Sequence, residues 1–119
     1  MQRLGVAEFL CKNQEFPKLI DVRSPAEFAA AHIPGAVNIP LLDDEERHRV
    51  GTVYVQDGAD AARLLGFRLV GRNLAEKAEA ALAFNSNKEP MGVYCWRGGE
   101  RSASMAWLFE SFGIPCFVL

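Results

Sequence analysis

Between Cys95 and Ser102 the sequence CWRGGERS places one thiol, two arginines and two adjacent glycines within eight residues. The apolar run Met91 to Tyr94 leads into it, and a helix-like segment follows. The thiol therefore sits where a strand ends and a helix begins. Backbone N–H groups converge at such a point, and the helix dipole adds partial positive charge. Gly98 and Gly99 let the loop adopt dihedrals that a side chain would forbid, so several N–H groups can face inward. Arg97 and Arg101 add fixed charge suited to tetrahedral oxyanions. These surroundings favour the deprotonated thiol, so Cys95 is expected to act as a thiolate nucleophile. The candidate catalytic residue is Cys95. The candidate substrate-binding residues are Trp96, Arg97, Gly98, Gly99, Glu100, Arg101 and Ser102, with Trp96 placed at the mouth of the loop.

The elements that must hold this loop follow from periodicity and punctuation. Gly5 to Gln14 reads as a short amphipathic helix with Val6, Phe9 and Leu10 on one face. Lys18 to Arg23 reads as a strand. Ser24, Pro25 and Glu27 then form an N-cap, a first-turn proline and a capping box. His32 to Ala36 is a turn and Ala36 to Ile39 a brief strand. The acidic run Asp43 to Glu46 complements the dipole of a helix that begins there. Ala59 to Phe84 is helical, with Leu64, Leu65, Leu69, Leu74, Ala78, Ala81 and Leu82 inward and a break at Gly66 or Gly71. Asn85 to Pro90 is a loop and Met91 to Cys95 a strand. Ser102 to Phe112 is a helix with Met105, Leu108, Phe109 and Phe112 as its apolar stripe. Gly113 stops it, and Pro115 to Leu119 is a last buried strand. Strands alternating with helices predict an α/β domain with a mostly parallel central sheet, helices on both faces and ligands at the carboxyl ends of the strands.

The 119 residues fit one domain, 1–119. Half are apolar and the net charge is −2, which gives no global attraction for nucleic acid and makes DNA an unexpected partner. The longest uncharged run, Phe28 to Leu42, is interrupted by prolines and is too short to span a membrane. Three cysteines without a CxxC pair or histidine-rich spacing argue against a disulfide framework and against zinc. No metal or cofactor is expected, and the location expected is cytoplasmic. Cys11 and Cys116 are read as core thiols, His32 as a turn residue and His48 as a solvated helix residue.

Asp21-Val-Arg23, Pro25-x-Glu27-Phe28 and the run HIPGAVNIP from His32 to Pro40, followed by the cysteine loop, resemble a rhodanese domain. That resemblance implies a rhodanese-like fold and a loop cysteine that carries a persulfide within a backbone cradle. It also implies structural roles for Asp21 and Arg23. Pro40 to Arg47, Val50-Gly-Thr-Val-Tyr54, Gln56 with Ala61, Ala62, Leu65 and Gly66, and Cys95 to Ser102 leading into Ser104 to Leu108 resemble one branch, tRNA 2-selenouridine synthase. The branch implies a transferase with selenophosphate as selenium donor and tRNA as partner, exchanging the 2-thio group of a wobble uridine for selenium carried on Cys95. A geranylated uridine intermediate is also attributed to it. The branch has a C-terminal P-loop domain, whereas no Gly-Lys dipeptide occurs in this sequence. It would also continue past Leu119 into a Gly-Gly-Tyr turn, and it places a lysine where Val55 stands. The expectation is an N-terminal domain truncated at its C-terminus, able to accept the chalcogen without completing the reaction on tRNA.

Two other readings share the residues. Cys95 and Arg101 also fit C-x5-R, the spacing of cysteine phosphatases of rhodanese-like fold. There the arginine binds phosphate and Glu100 would serve as acid, although Tyr94 stands where such enzymes place a histidine. A non-catalytic regulatory rhodanese module is the third class, against which the intact Cys95 argues.

Overall fold

The computed structural model describes every residue except 13–15, 17, 97 and 98. Its elements are β1 (Gln2–Arg3), α1 (Val6–Lys12), β2 (Lys18–Asp21), α2 (Pro25–Ala30), β3 (Val37–Asn38), α3 (Asp44–Asp57), α4 (Ala59–Gly71), α5 (Leu74–Phe84), β4 (Met91–Tyr94), α6 (Glu100–Glu110) and β5 (Cys116–Val118). Among the described residues the strands form one five-stranded sheet in the order β1-β5-β4-β2-β3, with every pair parallel.

Alternation along the strands divides the core in two. Ile20, Val93 and Val118 point to one face and pack with Ala78 and Ala81 of α5 and Met105, Leu108 and Phe109 of α6. Leu19, Tyr94 and Phe117 point to the other face, where Phe9 of α1 and Phe28 of α2 cover them. Helices on both faces are what parallel strands buried on two sides require.

The strand order also locates the site. After β2 the chain moves outward to β3, then returns past β2 to form β4 and continues away to β5. β2 and β4 are therefore neighbours whose onward helices, α2 and α6, lie on opposite faces of the sheet. The crevice at the carboxyl ends of such a strand pair is where open α/β sheets place ligands. Asp21 ends one of these strands and Cys95 follows the other.

Several elements differ from the sequence expectations for local reasons. The strand expected through Arg23 ends at Asp21, because the Arg23 N–H turns to Asp21 Oδ1 at 2.9 Å. The apolar face expected on α1 reduces to Phe9. Val6 and Leu10 are exposed, and so is Cys11, which was expected in the core. Phe9 alone turns inward from α1, where its ring meets those of Phe16 and Tyr94. Residues 13–15, which include the expected end of this helix at Gln14, lie outside the described residues. The helical stretch from Ala59 divides after Gly71, and Leu64 is exposed rather than inward. α6 begins two residues before Ser102. Phe112 falls beyond the last turn of α6 and is partly exposed, with Gly113 reversing the chain at φ +85°.

Candidate active site

Cys95 is the first residue past β4 and is buried. Its Sγ accepts the Ser102 backbone N–H at 3.4 Å, from the first turn of α6. Its thiol donates to Ser102 Oγ at 3.3 Å. The Ser102 hydroxyl has a single hydrogen and lies 3.0 Å from the Gly99 carbonyl and 3.2 Å from that of Leu119. With Cys95 protonated, that hydrogen goes to a carbonyl. With Cys95 deprotonated, it can turn to the sulfur, so one serine accommodates both states.

Gly99 makes this approach possible. It caps α6 with φ +69°, in the left-handed region, and a Cβ there would meet the Leu119 carbonyl oxygen at 3.0 Å. Gly99→Ala is expected to cost about 1–2 kcal/mol from the backbone conformation. The same change should push the start of α6 away from Cys95. Urea unfolding measures the first effect, and a variant as stable as the parent would contradict the strained geometry.

β2 supplies the support beneath the loop. The Arg23 guanidinium is buried and paired with Asp21, with Nη2 at 2.6 Å and Nε at 3.0 Å from the carboxylate. The hydrogen bond to Asp21 raises the Arg23 pKa further, so its charge is permanent. The guanidinium lies over two aromatic rings, 5.7 Å from the centre of Tyr94 and 4.7 Å from that of Trp96. Trp96, at half exposure, is thereby held on a buried cation at the start of the cysteine loop. Burial pushes the Tyr94 hydroxyl up to about 12, and this hydroxyl accepts the Ile33 N–H at 3.0 Å.

Arg101 and Glu100 take separate places. Arg101 Nη1 sits 2.8 Å from Glu27 Oε1, so this edge of its guanidinium faces α2. The same oxygen accepts the Ser24 N–H and hydroxyl and lies 3.3 Å from Arg47 Nε. Glu27 thus ties α2 to the starts of both α3 and α6. Glu100 is exposed beside Arg63, with 3.4 Å between the charged groups. Arg97 and Gly98, also expected to bind substrate, lie outside the described residues.

Burial by itself would raise the Glu27 carboxyl, but hydrogen bonds from Arg101 and the Ser24 backbone outweigh it and hold it at about 2. A carboxyl depressed in the folded state stabilises fully above its unfolded value. That stability is lost as the pH falls through the folded value. The contribution of Glu27 should therefore fade between about pH 4.5 and 2. Glu27→Gln should flatten the acid limb of the stability profile in that window. An unchanged acid limb would show that the ion pair contributes nothing.

Beside the loop lies a mostly apolar groove of about 740 Å³ between α6 and the helices α3 and α4. Phe67, Val70, Met105 and Leu108 line its body, and Arg3, Arg63, Glu100 and Arg101 line its charged end. Of the other expected roles, Cys116 is buried, and burial pushes its thiol up to about 12. His32 stacks on Phe28 and its Nδ1 lies 2.8 Å from the Phe28 carbonyl. His48 is exposed.

The fold thus brings Cys95, Gly99 and Ser102 together, sets Trp96 over Arg23, and directs Arg101 to Glu27. Sequence reasoning did not include Arg3. A two-residue edge strand has too few positions for any periodic signal, and Arg3 is more than ninety residues from the loop. The capping box pointed to Glu27 but not to its pairing with Arg101, since that contact spans 74 residues.

Comparison with known proteins agrees with this architecture. A model of the Rhodanese-like domain matches residues 6–119. The chain is 51% identical over 98 residues to tRNA 2-selenouridine synthase of Bordetella bronchiseptica, covering 81% of this chain and 27% of that protein. It is 48% identical over 101 residues to the protein of the same name from Bdellovibrio bacteriovorus, covering 83% and 26%. The chain thus spans about a quarter of the length of these relatives. Among solved structures, the N-terminal domain of a Clostridium difficile 630 protein named for ATP/GTP binding superposes with a TM-score of 0.72. It shares 36% identity, over 85% of this chain and 78% of that one. No helix among the described residues is long and apolar enough to cross a membrane.

Proposed function

Because the chain belongs to the rhodanese-like domain family, we propose that Cys95 is its chalcogen-accepting nucleophile, with selenophosphate as donor and wobble uridine of tRNA as eventual recipient. Residues 1–119 are read as one domain of this kind. The observation that carries the reading is the Ser102 N–H aimed at Cys95 Sγ from the first turn of a helix, at the carboxyl end of a central parallel strand. A dipole and an N–H at that place stabilise negative charge on sulfur, and equally on a sulfur or selenium atom attached to it. The identity of about 50% to tRNA 2-selenouridine synthases favours selenium as the cargo and tRNA as the acceptor.

In the first step the Cys95 thiolate attacks the terminal chalcogen of an anionic donor. A sulfur–selenium bond forms and the phosphorus–selenium bond breaks. Its electron pair leaves with phosphorus, which departs as phosphite after taking a proton. With thiosulfate the same step forms a sulfur–sulfur bond and releases sulfite. Trp96 would line the entrance and Gly99 and Ser102 would hold the loaded sulfur. Arg97, Gly98, Glu100 and Arg101 complete the proposed substrate-binding set. The test is the mass of the Cys95 peptide after incubation with selenophosphate or thiosulfate. Addition of one selenium or sulfur atom there is expected, and an unmodified Cys95 with both donors would overturn the reading.

A further inference from the structure

We propose that Arg3, on the edge strand β1, binds the anionic group of the donor that approaches Cys95. This rests on the reading of Cys95 as a nucleophile toward anionic donors. β1 is anchored to β5 by the Arg3–Val118 pairing and by the Leu4 N–H to the Val118 carbonyl at 2.7 Å. The side chain of Arg3 reaches from there to the start of α6. Its Nη1 lies 3.3 Å from the point a Cβ on Gly99 would occupy, and Ser102 Oγ lies 3.5 Å from the same point. Ser102 Oγ is in turn 3.3 Å from Cys95 Sγ. The guanidinium is therefore within about one Debye length (~10 Å at 0.1 M salt) of the sulfur.

Its electrostatic situation differs from that of the arginines around it. Arg23 is paired with Asp21, Arg101 with Glu27 and Arg63 with Glu100. Among the described residues no carboxylate lies within ion-pair distance of Arg3. Arg3 also lines the charged end of the groove that opens beside the loop. A thiolate repels an anionic donor, so reaction needs a cation that offsets the repulsion without occupying the thiolate. A guanidinium delivered from the edge strand meets that need. Its planar fork matches two oxygens of a phosphoryl or sulfonyl group, and the strand fixes its place independently of the loop.

The test compares alkylation of Cys95 by iodoacetate, which is anionic, and by iodoacetamide, its neutral counterpart. Both form a thioether and release iodide, so only the charge of the reagent differs. Rates are followed on the Cys95 peptide by mass spectrometry, with exposed Cys11 as internal reference. Arg3→Gln is expected to slow iodoacetate about five-fold at low salt while iodoacetamide stays within two-fold. Arg3→Lys should restore most of the loss, and 1 M salt should erase the difference between variant and parent. An equal fall with both reagents would assign Arg3 a structural role and overturn the proposal, as would no change with either. A Cys95 inert to both reagents in the parent would overturn the nucleophile reading as well. A Cys95 that alkylates with the Arg3 dependence but never gains selenium or sulfur would leave the anion site standing and remove the chalcogen reading.

Discussion

Cys95→Ser should abolish chalcogen loading, with release of sulfite from thiosulfate or phosphite from selenophosphate falling by three orders of magnitude or more, about the loss seen when a covalent nucleophile is removed. The serine hydroxyl would occupy nearly the same place, hydrogen-bonded to the Ser102 N–H. It is not deprotonated near neutral pH, however, and oxygen does not form a stable bond to selenium or sulfur under these conditions. The two other thiols predict the background. Cys116 is buried and its thiol is pushed up to about 12, so it should not load. Cys11 is exposed and can pick up adduct without catalysis. The measurement must therefore be made on the peptide containing Cys95, with Cys11→Ser leaving its loading intact. If Cys95→Ser released sulfite or phosphite at the parental rate, the chemistry would have to be placed elsewhere.

Asp21→Ala should be the most destabilising single change near the site. It removes the carboxylate that holds the buried Arg23 guanidinium through Nη2 and Nε and that accepts the Arg23 N–H. An uncompensated buried charge costs about 3–5 kcal/mol, a large part of the 5–15 kcal/mol that stabilises a typical domain. Asp21→Asn should cost less, because its amide oxygen can still accept one of these hydrogen bonds. Replacing both partners, Asp21→Leu with Arg23→Met, should recover part of the loss, since no charge is then left unpaired. The double variant should still load Cys95 poorly, because Trp96 loses the cation it lies against. Urea midpoints and near-UV circular dichroism of the tryptophans separate the two effects. A midpoint for Asp21→Ala within about 1 kcal/mol of the parent would show that the pair is dispensable.

The local features of this chain were legible from short stretches of sequence. The capping box of Ser24 and Glu27 is one, with Glu27 Oε1 accepting the Ser24 N–H at 3.2 Å. The stop at Gly113 is another. Each depends on side chains within four residues of one another, so a short window holds all the interacting groups. The same holds for the position of Cys95 at a strand end before a helix. The α/β class with a parallel sheet followed from the alternation of elements, and the family resemblance from motifs carried on contiguous runs.

What the sequence alone determined was therefore the nucleophile candidate, its strand–loop–helix setting and the fold class. Only the tertiary structure decided which cation faces which group. Two arginines in the loop segment looked equivalent as oxyanion ligands, yet Arg101 lies against Glu27 on α2, 74 residues away. Arg3 reaches the start of α6 because β1 joins the sheet through β5, at the far end of the chain. The physical reason is that hydrogen-bonding and steric preferences act within a turn or two, whereas a charge is assigned to whatever partner the sheet order brings beside it.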